Sequence, residues 1–140
     1  MRPIRFEALL ASAAATLPSA GVNRFSDIEP TRRPYPFGVG IEMGGRSTKW
    51  QIVAVSAQGD KYETAETNQA FGERPSAPQQ ATATAGSPEH LEAALAAAVL
   101  SADEQGEIAS VQVYNGANSV GCGFTLVCHN GAKLFVNNQR

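Results

Sequence analysis

Cys122, Cys128, His129 and the more distant His90 are the residues of this chain that could support thiol or metal chemistry. Three of the four lie in one stretch, GCGFTLVCHNGAKLFV, residues 121–136. A structural zinc needs four ligands, commonly delivered as close pairs such as Cys-x-x-Cys, and Cys-x5-Cys-His is not that spacing. Along one extended strand the two cysteines stand roughly 20 Å apart, far beyond disulfide reach. Lys133 beside Cys128 would favour a thiolate, yet His129 points to the opposite strand face from Cys128 and cannot act as its base. The expectation is therefore no metal, no cofactor and no catalytic residue, with Cys128 a small apolar residue and His129 flanking a turn. A small enzyme using Cys128 or His90 is the weakest reading.

What positions these residues is a hairpin. Asn130-Gly131 between two apolar runs predicts a two-residue type I′ turn. That turn pairs His129 with Ala132, Cys128 with Lys133, Val127 with Leu134, Leu126 with Phe135 and Thr125 with Val136. In this register both faces are apolar, with Phe124, Leu126 and Phe135 on one and Val127, Leu134 and Val136 on the other. A sheet covered on one side should alternate more cleanly. The second face, Val127, Leu134 and Val136, is accordingly predicted as an interface.

The remaining elements follow from periodicity. Phe6, Leu10, Ala13 and Leu17 recur at helical spacing, although MRPIRFEALLASAAATLPSAG also has the parts of a secretory signal. The structural helix is the expectation, which makes the protein cytoplasmic; cleavage of residues 1–20 would make it secreted. Residues 21–36 form a connector stiffened by Pro30, Pro34 and Pro36. Strands are predicted at 37–43 and 48–57, with a polar edge strand at 61–66. Residues 67–86 lack periodicity and are expected to be a long mobile loop. Ser87, Pro88 and Glu89 mark a helix start, Leu91, Leu95, Ala98 and Ala102 its buried stripe, and Gly106 its end. A strand at 107–114 and the hairpin complete an α-βββ-α-βββ order. This predicts a single α+β domain over 1–140, an antiparallel sheet with two helices packed on one face. The order looks like that of chaperone-like α+β sandwiches, a likeness of fold that implies no function. The halves are alike in order, but no residue-level repeat is evident.

Composition narrows the function. The chain has 140 residues, 43% hydrophobic and 17% charged, with a net charge of −2. No basic field would draw it to nucleic acid or to an anionic membrane, and no apolar run is long enough to span a bilayer. Nine carboxylates lie between residues 58 and 107, and none in the side chains from 108 to 140. FGVGIEMGG is not a dinucleotide finger, because Met43 stands where the third glycine belongs. Gly38 and Gly40 instead leave one strand face bare for another group to approach. TRRPYP offers Arg32, Arg33 and Tyr35 as exposed contact residues. The reading is a non-catalytic protein-binding or adaptor domain, contacting a protein partner or a second copy in a small homo-oligomer. The alternative is a structural subunit of a larger assembly, such as a virion or secretion apparatus.

Overall fold

The computed structural model describes residues 1–31, 33–116 and 121–139. The elements run α1 (Pro3–Ala14), β1 (Gly21–Arg24), α2 (Phe25–Ile28), β2 (Gly38–Met43), β3 (Arg46–Val55), α3 (Pro88–Ala102), β4 (Ile108–Val113), β5 (Gly123–Cys128) and β6 (Lys133–Gln139). The sheet has six antiparallel strands in the order β1-β2-β3-β6-β5-β4. Two three-stranded meanders thus lie side by side, joined where β3 meets β6. The α+β class and the antiparallel sheet agree with the sequence reading.

The first meander draws on different residues from those expected. Residues 61–66 form no strand. Their polar groups are engaged from the side: the Arg2 guanidinium donates to Asp60 and to the carbonyls of Lys61 and Thr64, and Arg5 donates to Glu66. The edge strand is β1, inside the segment read as a connector, followed by one turn of α2. Four residues with alternating exposure are too short for a periodic signal to register.

Those arginine–carboxylate contacts carry a pH dependence. Arg2 holds the Asp60 carboxyl below its ordinary value. Burial pushes Glu66 up, but the hydrogen bond and charge of Arg5 outweigh it and the net direction is down. A carboxyl more acidic in the fold than in the unfolded chain stabilises fully above its unfolded pKa of about 4. That contribution is lost as pH falls through the lower folded value. The melting temperature is therefore expected to fall with acidification below about pH 4, and Arg5→Ala to flatten that limb. An acid limb of unchanged steepness in the variant would contradict the assignment.

α1 and α3 pack against each other and against one sheet face. Phe6, Leu10, Ala13 and Ala14 of α1 are fully buried, so the residues that resemble a signal segment form part of the core. α3 begins as its sequence requires: the Ser87 hydroxyl accepts from the His90 N–H at 3.3 Å, and Pro88 occupies the first turn. Its alanines let neighbours approach closely, and burial spreads beyond the expected stripe to Ala93, Ala94, Ala96, Val99 and Leu100. Toward the helices the sheet presents Val39, Ile41 and Met43 from β2, Trp50 and Ile52 from β3, and Phe124, Leu126, Leu134 and Val136 from β5 and β6. A bulge between Ile108 and Ser110 brings Ile108 onto the same side as Val111 and Val113.

A residue-level repeat does exist, and it becomes visible once the halves are aligned in space. PIRFEALLASAA of α1 and PEHLEAALAAAV of α3 share Pro3/Pro88, Glu7/Glu92, Ala8/Ala93, Leu10/Leu95, Ala11/Ala96 and Ala13/Ala98. The glutamates do the same work. The Gly38 N–H donates to Glu7 at 3.0 Å, and the Gly123 N–H donates to Glu92 at 3.2 Å. The N–H groups of Ser26 and Asn115 supply a second bond to Glu7 and Glu92, at 3.3 and 3.2 Å. Each of those residues follows an aromatic, Phe25 or Tyr114, whose ring occupies the space beside Gly38 or Gly123. One further pair matches: Ile52 N–H to the Phe37 carbonyl, and Asn138 N–H to the Cys122 carbonyl. A helix-borne carboxylate thus ties each helix to the start of its central strand and to the end of its edge strand.

Candidate interaction surface

Among the described residues, the outward sheet face carries no helix except α2 at its β1–β2 edge. Pairing sets its side chains in rows: Val53 opposite Phe135 opposite Thr125, and Val55 opposite Lys133 opposite Val127. Val53, Val127 and Phe135 are half-buried, and Val55 is 50% exposed. These four apolar side chains cluster around Lys133 across the three central strands. Lys49 lies exposed on the same face, and Ile28 of α2, also exposed, lines a small cleft with it. At the other end the Tyr114 ring folds over the face, its hydroxyl bonding Thr125 Oγ1 at 3.0 Å and Asn137 Oδ1 at 3.1 Å. Gly38 and Gly40 are bare as expected, and the Phe25 ring and the Asn23 amide fill the space they leave.

The hairpin register differs by one residue from the predicted one. The turn is three residues, His129-Asn130-Gly131, closed by the Cys128 N–H to the Ala132 carbonyl at 2.8 Å, with Gly131 at φ +93°. Leu126 therefore faces Leu134, and Phe124 faces Val136. A slip of one residue moves every side chain to the other face. Leu134 and Val136 are consequently fully buried under the helices, while Phe135 joins Val127 outside. One hairpin face is wholly core, and the other is mixed, with Val127 and Phe135 among Thr125, Lys133 and Asn137.

The other sequence candidates are dispersed. Arg33 and Tyr35 are exposed in the chain between α2 and β2, and Arg32 lies outside the described residues. Phe135 was missed because the assumed turn length sent it inward, and Val53 and Val55 join it only through the pairing of β3 with β6, which the sequence does not reveal.

The thiols occupy different surroundings. Cys128 is buried against the core, and burial pushes its thiol up from the ordinary value, away from nucleophilic use. Cys122 is half-buried at the start of β5. A colorimetric thiol reagent is expected to titrate Cys122 in the folded protein and Cys128 only after unfolding. Two equally fast thiols would contradict this. His129 bonds the Glu73 carbonyl at 3.0 Å, and His90 Nδ1 accepts from the Gly86 N–H at 3.1 Å. Residues 67–86 form no helix or strand, yet they are tied down at those points and by the Gly72 N–H to the Gly106 carbonyl.

Among the described residues no group of His, Cys, Asp or Glu is arranged to hold a metal ion, and no helix is long and apolar enough to cross a membrane. Set against protein-family models, curated proteins and solved structures, the chain finds no match.

Proposed function

We propose that the protein is a non-catalytic binding domain that covers a protein partner with its outward sheet face. The observation that carries this reading is the run of Val53, Val55, Val127 and Phe135 in adjacent rows of a face left without a helical layer. Antiparallel sheets tolerate one solvated face when it is polar, and an apolar cluster there favours contact with another chain. The charge within the cluster is Lys133, set between Val55 and Val127, whereas Lys49 lies farther along β3 beside Glu29 and Glu42. The partner is therefore an apolar surface that sets a carboxylate against Lys133, where a second copy in register would set another lysine.

The test is the double substitution Val53→Asp with Phe135→Asp. Both residues lie outside the core, so stability should fall by about 1–2 kcal/mol and the fold should persist. Co-purification of a stoichiometric partner from the native host should be lost, with the free protein monomeric by light scattering over a hundredfold concentration range. Retention of the partner by the variant would defeat the proposal. A discrete dimer of the unmodified protein, dissociated by the same substitutions, would replace the foreign partner by a second copy.

A further inference from the structure

The two halves repeat one arrangement around Glu7 and Glu92, and they differ in what completes it. Glu7 is fully buried and has its own cation: Arg24 Nε donates to it at 2.9 Å, and the Ser26 hydroxyl donates to the same oxygen. In the second half the strand position of Arg24 belongs to Val113, because Arg24 faces Val39 as Val113 faces Phe124. The matched pair Phe37 and Ile52 becomes Cys122 and Asn138.

The smaller side chains leave a cleft of about 660 Å³ beside the helix start, in the size range of small-ligand sites. Glu92, Glu89, Asn115, Cys122 and Asn138 line it, and among the described residues no lysine, arginine or histidine does. Glu92 is 2% exposed, so a carboxylate is held away from water, and among the described residues no cation pairs with it as Arg24 pairs with Glu7. Asn138 Oδ1 is buried, with no hydrogen-bond partner among the described residues. A buried carboxylate and an unsatisfied amide oxygen both call for donors, and one planar guanidinium can supply several at once.

We infer that this cleft binds a guanidinium group, which takes the place that Arg24 fills in the other half. The group belongs either to a free arginine-like molecule or to an arginine side chain of a protein; the recognition chemistry is shared. The site is independent of the outward sheet face.

The experiment is calorimetric titration of the full chain at millimolar ligand with N-acetyl-L-arginine methylamide, its citrulline counterpart and free L-arginine. Saturable binding of the arginine compounds is expected, with the neutral citrulline analogue at least tenfold weaker. Tighter binding of free L-arginine would identify a small molecule as the source, and tighter binding of the blocked form a protein side chain. Glu92→Gln should weaken binding at least tenfold. Val113→Arg rebuilds the internal ion pair and should abolish binding while raising the melting temperature. Cys122→Phe with Asn138→Ile, which restores the packing of the first half, should also abolish it with the circular dichroism unchanged. Equal binding of arginine and citrulline compounds, no binding by either, or full binding by Val113→Arg would overturn the inference.

Discussion

Gly123→Val is expected to abolish the cooperative thermal transition. Gly123 sits at φ +153°, a conformation that residues with a Cβ rarely adopt. An added Cβ would fall inside contact distance of the Val136 carbonyl oxygen and 2.9 Å from the Tyr114 ring. The first obstacle is backbone of the neighbouring strand and cannot swing away. Tyr114 is 7% exposed and anchored through its hydroxyl, so moving it breaks its bonds to Thr125 and Asn137. It also draws Asn115 away from Glu92. Overpacking alone costs about 1–3 kcal/mol, and displacing a buried aromatic adds about 3–5 kcal/mol. The sum is comparable with the ~5–15 kcal/mol that holds a domain together. Gly131→Ala is the control: its φ is also positive, +93°, but nothing lies within 4 Å of an added Cβ. A melt by circular dichroism in which the two variants differ by only a few degrees would contradict this account.

Glu7→Leu should cost about 3–5 kcal/mol in urea denaturation, the penalty for breaking a buried ion pair and stranding its partners. Arg24, the Ser26 hydroxyl and N–H, and the Gly38 N–H all lose their acceptor. Glu92→Leu strands the N–H groups of Asn115 and Gly123 but no cation among the described residues. Its cost should therefore be lower, about 1–3 kcal/mol. The order of the two values is the informative result. Equal losses would mean that Arg24 adds nothing, and a larger loss at Glu92 would mean that the second half is not the less complete one.

Much of the second half was legible because its signals are local. Ser87-Pro88 opens α3 within its own sequence, although the helix ends at Ala102, four residues before Gly106, and the apolar runs of β4 to β6 stand between clear turn residues. The first half misled where tertiary contacts decide. Residues 61–66 have the alternation of a strand, but Arg2 and Arg5, about sixty positions away, take up their polar groups. The hairpin shows how much rests on one residue: Asn-Gly suits a two-residue turn, and this turn closes one residue earlier, at Cys128. That single difference exchanged core for surface along all of β6. The repeat was present in the chain as Pro-x-x-Phe/Leu-Glu-Ala-x-Leu-Ala, occurring twice. It went unseen because it covers little more than two helical turns, and because nothing in the local pattern marks either glutamate as buried. Their burial follows from backbone N–H groups that only the folded sheet brings near.

The outward face is best tested by photocrosslinking in the native host, with a photoreactive residue placed in turn at positions 53, 55, 127 and 135 and at exposed Ser101 on α3 as control. Discrete adducts of one partner should form from the four face positions and not from position 101, and Lys133→Glu should abolish them. Adducts that form equally from position 101, or none from the face at all, would contradict the assignment of this surface to a protein partner.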